Sequence, residues 1–143
     1  MSNYYVVGTD EKLDELKKFN GKFELIEKND LVNLTGNNCF NKKYYYASNY
    51  YVSPLKILDD NAGKIVINFD DNQTDFAIFA KFLQHQNFYY ETIEFYKFWS
   101  LFDEPNNKKE NVIDKEKEIN ILKDFDLNQE FDYNTKYIFK QEF

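Results

Sequence analysis

The chain has 143 residues, a formal net charge of −7 and 43% hydrophobic residues, enough for one domain whose core needs neither disulfide nor metal. All 18 basic residues are Lys. Without Arg the chain has no bidentate fork for phosphate or guanine, so direct nucleic-acid binding is not expected. A single cysteine, an N-terminus without a basic and apolar leader, and no run of the roughly 20 apolar residues that a membrane span needs predict a cytoplasmic protein with no membrane partner.

The segment NYYVVG, residues 3–8, is aromatic and β-branched and predicts an opening strand. Thr9 and Asp10 offer N-caps for a helix over 10–20, where Leu13, Leu16 and Phe19 share a stripe and the acids precede the lysines. Asn20-Gly21 would stop it. KFELIEK, 22–28, predicts a strand, and Leu31 to Leu34 a further short strand ended by the turn Thr35-Gly36-Asn37-Asn38. YYYASNYYVS, 44–53, predicts a strand bent at Ser48-Asn49 and closed by Pro54. The turn Asn61-Ala62-Gly63 leads into KIVINF, 64–69, another strand.

The period becomes helical after Thr74, where Phe76, Phe79, Ala80, Phe82 and Leu83 predict a helix over 75–86 capped by Asp71 or Thr74. Residues 88–102 fit both a strand and, through Ile93, Tyr96 and Trp99, a helix; the first part is assigned to strand. A polar loop starts at Pro105, residues 112–124 predict a short charged helix, and TKYIFKQEF, 135–143, predicts a closing strand. Together these elements predict one compact α+β domain, mostly antiparallel sheet with two or three helices.

Little of the sequence carries catalytic chemistry. In KDFDLNQEFD, residues 123–132, Asp124, Asp126 and Asn128 match the first three side-chain ligands of a calcium loop. Gln129 stands where the loop needs Gly, and Thr135 where it needs a bidentate Glu, so a solvated acidic loop is expected. Asp70, Asp71 and Asp75 follow a predicted strand, but no spacing brings them a further ligand, and capping of the next helix by Asp71 or Thr74 is the expected role. His85 and Cys39 are singletons without a motif. No metal, no cofactor and no catalytic residue is therefore expected.

What remains is charge and aromatic surface. Residues 1–58 hold 8 Lys and 7 acids, a balance of +1, whereas residues 59–143 hold 10 Lys and 18 acids, a balance of −8. An acidic half suits a basic protein partner. The runs Tyr44-Tyr45-Tyr46, Tyr50-Tyr51 and Tyr89-Tyr90 must each turn a ring away from one sheet face, and Tyr is favoured in binding interfaces. The candidate partner-binding residues are Tyr44, Tyr46, Tyr50, Tyr89, Asp70, Asp71, Asp124, Asp126, Glu130 and Asp132. In size, acidity and want of catalytic motifs the chain is similar to immunity proteins and antitoxins. That resemblance of character implies a non-enzymatic inhibitor of a basic toxin, a nuclease being one such target. A phage-encoded inhibitor of a host defence nuclease fits the same features, and an enzyme with an unrecognised carboxylate site is the remaining alternative.

Overall fold

The computed structural model describes residues 3–12, 23–48, 74–84, 88, 91–99, 111–124, 126 and 128–143. They form an α+β fold in the order β1 (Asn3–Thr9), β2 (Phe23–Ile26), α1 (Lys28–Thr35), β3 (Tyr44–Ser48), α2 (Asp75–Gln84), β4 (Ile93–Trp99), β5 (Lys115–Asn120) and β6 (Thr135–Lys140). Among the described residues the strands make one six-stranded sheet, β2-β3-β1-β4-β6-β5. Every neighbouring pair is antiparallel except β5 and β6, which run parallel.

Both faces of the sheet are covered, which explains why the central strands β1 and β4 are buried almost throughout. On one face Tyr5, Val7, Tyr46, Ile93, Phe95, Tyr137 and Phe139 pack under α2 through Phe76, Phe79, Phe82 and Leu83. Aromatic rings fill this core: Phe79 lies 4.3 Å from Phe95, and Phe131 stacks on Phe95 at 4.0 Å. On the other face Tyr4, Val6, Tyr45, Ala47, Tyr96 and Phe98 pack with Leu31 of α1 and with Phe40. Alternate residues of each strand thus serve alternate cores.

Helix α2 begins as its sequence predicts, with the Thr74 Oγ1 accepting the Ala77 N–H at 3.1 Å. The strands expected at 3–8, 22–28 and 135–143 and the first half of the one at 44–53 correspond to described strands. Within 88–102 the strand is β4, Ile93–Trp99, which covers the residues that also fitted a helix, whereas the described residues 88, 91 and 92 of the first part lie before it. The expected helix over 10–20, the turn at 61–63, the strand at 64–69 and the loop from Pro105 lie outside the described residues, wholly or in their greater part.

Two expectations are corrected. Residues 31–34 are not a strand but lie inside α1. Leu31 and Thr35, four apart, are its buried side, and the Thr35 hydroxyl donates back to the Leu31 carbonyl at 2.7 Å. Gly36 then ends the helix in the left-handed region at φ 74°, its N–H bonded to the Val32 carbonyl, so the predicted turn serves as a C-cap. Residues 112–124 are not a helix either; they contain β5, paired residue for residue with β6. Lys and Glu favour helix locally, but Ile119 and Ile121 are both buried, a period of two. The alternating charges of KEKE lie mostly exposed, as suits the outer strand of this sheet.

One glycine is required by packing. Gly8 stands between Tyr45 on β3 and Glu94 on β4 in register. The Tyr45 ring lies across it, and a Cβ at position 8 would meet Tyr45 Cε1 at 2.5 Å. Gly8→Ala is expected to lower stability by about 1–3 kcal/mol through overpacking. In a Tyr45→Ala background the same change should cost far less, and a denaturant double-mutant cycle measures the difference. Equal costs in both backgrounds would show that the ring does not set the requirement.

Candidate partner-binding face

The two most enclosed carboxylates among the described residues sit on opposite faces of the sheet, and each is committed to donors within the chain. Asp75, at the start of α2, has a side chain only 9% exposed and pairs with Lys97 at 2.8 Å. Its Oδ2 also accepts the Tyr5 hydroxyl at 2.9 Å, and its Oδ1 accepts the N–H groups of Phe76 at 2.7 Å and Phe131 at 3.0 Å. Lys97 donates further to the Phe131 carbonyl at 3.3 Å. Helix capping is therefore one part of what Asp75 does.

On the opposite face, Glu94 is 2% exposed. Its Oε1 accepts hydroxyls from Tyr45 at 2.8 Å and Tyr96 at 2.7 Å, while Lys136 lies 3.6 Å from Oε2. Lys136 also donates to the Cys39 carbonyl at 2.7 Å. Burial pushes the Tyr45 and Tyr96 hydroxyls well above the usual tyrosine range, and the neighbouring Glu94 carboxylate adds to the rise. Burial likewise raises the Cys39 thiol, opposite to the direction that makes a thiol nucleophilic near neutral pH. Among the described residues no group of three or more His, Cys, Asp or Glu side chains is placed to hold a metal ion, and no helix is long and apolar enough to cross a membrane.

The remaining acids of the C-terminal part behave differently. Asp114, Glu116, Glu118, Asp124, Asp126, Glu130, Asp132 and Glu142 are all exposed. Of the five lysines in residues 111–143, Lys115 and Lys123 are exposed, Lys117 and Lys140 are half-buried and Lys136 is buried. Lys117 pairs with Asp132 at 3.1 Å, and Lys140 approaches Glu118 and Glu142 at 3.7 and 3.5 Å. Asp114, Glu116, Asp124, Asp126 and Glu130 have no ion-pair partner among the described residues. Parallel pairing of β5 with β6 forces the chain to cross from the end of one strand to the start of the other, and the crossover, 121–134, carries four of the eight acids.

The crossover also answers the calcium motif. Asp126 accepts the Asn128 N–H on its side chain at 2.9 Å and the Gln129 N–H on its carbonyl at 3.1 Å. It shapes a turn from its own backbone. Asp124 donates its N–H to the Asn120 carbonyl at 2.8 Å and leaves its carboxylate in solvent.

Of the candidate residues named from sequence, the structure brings Asp124, Asp126, Glu130 and Asp132 together on this crossover. Tyr44 is half-buried, with Lys12 and Lys43 over its ring at 5.8 and 5.4 Å. Tyr46 belongs to the core under α2 at 8% exposure. Tyr50, Tyr89, Asp70 and Asp71 lie outside the described residues, as does His85. The sequence reasoning missed Asp114, Glu116 and Glu118, because a helix was expected where β5 and its approach lie. Period-two placement of Ile119 and Ile121 was the available signal. Comparison with protein families, with curated proteins and with solved structures finds no match to this chain.

Two outcomes follow from these networks. Asp75→Ala leaves Lys97 buried without its carboxylate and should destabilise by roughly 3–5 kcal/mol, whereas Asp126→Ala should stay within about 1 kcal/mol, both read from denaturant midpoints. The raised hydroxyls of Tyr45 and Tyr96 stabilise the fold fully below the unfolded tyrosine pKa near 10, and this contribution falls as pH climbs above it. Tyrosinate absorbance should therefore show a late fraction that appears together with loss of circular dichroism; full ionisation in the folded chain would contradict the buried geometry.

Proposed function

We propose that this chain is a non-catalytic inhibitor that works by occupying a basic protein, in the manner of an immunity protein or antitoxin neutralising a toxin such as a nuclease in the cytoplasm. The observation that carries this reading is the division of its carboxylates. Among the described residues, those that leave water, Asp75 and Glu94, are held by internal donors, whereas all eight acids of residues 111–143 are exposed and five of them have no ion-pair partner there. A surface of that kind repels other acidic surfaces and nucleic acid, attracts a basic partner and raises its encounter rate. A partner drawn from host defence rather than from a toxin system engages the same face by the same physics.

The reading is tested by recovering the partner from the native host with tagged protein, identifying it, and titrating its activity. Neutralisation should saturate near one inhibitor per target. Raising salt from low to physiological should slow association far more than it speeds dissociation. Replacing Asp124, Asp126 and Glu130 by their amides should reduce both the association rate and its salt dependence while leaving the fold intact. Inactivation of excess target by a trace of this protein would instead indicate turnover and overturn the inhibitor reading.

A further inference from the structure

At one end of the sheet the topology gathers the single tryptophan of the chain and several exposed carboxylates. β4 finishes there at Trp99, and β5 and β6 both start there, because β6 is antiparallel to β4 and parallel to β5. The Asn111 side chain accepts the Trp99 N–H at 3.0 Å and donates to the Trp99 carbonyl at 3.1 Å, fixing the approach to β5 beside the end of β4. The turn before β6 brings Tyr133 against Trp99, ring edge to ring face, with centroids 5.9 Å apart. Both rings are half-buried.

This corner is held from several sides. The Asn134 carbonyl accepts the N–H groups of Asp114 and Lys115 at 3.1 and 3.2 Å, and the Asp132 N–H donates to the Tyr137 hydroxyl at 2.9 Å. Lys97 lies 5.1 Å from the Tyr133 centroid. Asp132 adjoins Tyr133 in the chain, Glu130 precedes it by three residues, and Asp114 is bonded to the carbonyl of the residue after it; all three are exposed, and only Asp132 has an ion-pair partner among the described residues, the part-exposed Lys117. Asn134 sits in the left-handed region at φ 60°, and its buried Oδ1 accepts no hydrogen bond among the described residues.

Resting on the inhibitor reading above, we propose that Trp99 and Tyr133, framed by Asp114, Glu130 and Asp132, form the docking site for an arginine side chain of the basic partner. Charge complementarity selects a cation. The aromatic pair selects guanidinium over ammonium, since guanidinium is planar, weakly hydrated, stacks on rings and bonds carboxylates through two parallel donors. Rings held in place before contact lose little freedom on binding, which is what makes Trp and Tyr effective anchors.

The test uses an oligoarginine peptide as the probe, with oligolysine and oligoserine as controls, at low salt. Because Trp99 is the only tryptophan, its emission reports this corner, while calorimetry reports binding anywhere on the protein. Oligoarginine should bind and change Trp99 emission saturably, with about fivefold or greater preference over oligolysine, in keeping with about 1 kcal/mol of ring contact. Tyr133→Ala should abolish the preference; Tyr133→Leu, which keeps a bulky side chain, serves if the alanine variant unfolds. Calorimetric binding with unchanged emission, or an arginine preference that survives loss of the Tyr133 ring, would place docking elsewhere on the acidic face and overturn this site while leaving the inhibitor reading standing. Failure of both cationic peptides to bind at low salt would remove the site and the electrostatic basis of that reading together.

Discussion

A carboxylate taken out of water must be given donors, and the way Asp75 receives them ties this fold together. Its two oxygens accept from Tyr5 on β1, Lys97 on β4, the first turn of α2 and the backbone of the crossover at Phe131. Four elements that are far apart in sequence therefore meet at one side chain. The arrangement sets the position of α2 over the sheet, because the helix starts where Asp75 is held. It also sets Phe131 against Phe95 and Phe76, at 4.0 and 5.1 Å, so that the crossover from β5 to β6 closes the aromatic core instead of leaving it open. Removing apolar bulk from this region would weaken a face of the core; removing Asp75 would leave the Lys97 ammonium without its carboxylate and deprive the Phe76 and Phe131 N–H groups of this acceptor, which is the more severe loss.

Glu94 plays the matching part on the other face, with a difference in kind. Its donors are side-chain hydroxyls and a lysine, all from strands of the sheet, and one of them, the Tyr45 hydroxyl, comes from a ring that lies across Gly8 of β1. Phe40 then packs edge-on against both Tyr45 and Tyr96, at 5.4 and 5.1 Å, and closes the cluster from above. The loop after α1 that carries Phe40 is itself fastened by Asn37, whose side chain donates to the Asn111 carbonyl and accepts the Ile113 N–H. Position on one face of the sheet thus reaches, through two amides, to the approach of β5.

Much of this fold was legible in the sequence where burial and local pattern agree. NYYVV and TKYIF read as strands because they are strands buried on both faces, and the Phe spacing after Thr74 reads as a helix because one wide face is apolar. The two misreadings share a cause. Leu31 to Leu34 is too short to show a period, and only Gly36 in its left-handed conformation reveals that a helix has ended. KEKEIN carries helix-favouring residues, and its strand state comes from pairing with β6, a long-range contact that no local pattern announces. The candidate face follows the same division. The acids of 124–132 were visible as a charge excess. That Asp75 and Glu94 are internal, and that Trp99 meets Tyr133, depends on which strands lie side by side, and sequence spacing alone does not contain it.

The separation of carboxylates into held and unheld groups also divides two tasks on the inhibitor reading. Exposed acids act over a range limited by ionic screening, about 10 Å at 0.1 M salt, so they guide approach and reject like charge before contact. Where they stay in solvent at the rim of a contact they contribute little to holding it, because an exposed ion pair gains only about 0–1 kcal/mol. Holding a partner requires buried area and shape, which aromatic anchors supply. An acidic crossover ending at a pinned Trp–Tyr corner joins the two tasks in space: Glu130 and Asp132 immediately precede Tyr133 in sequence, so the field that draws a cation inward has one end at the rings that can stack on it. The parallel pairing of β5 and β6 makes this possible. A hairpin would need only a short turn between the strands, leaving no crossover to carry the acids and no reason for that chain to return to the end of β4 where Trp99 lies.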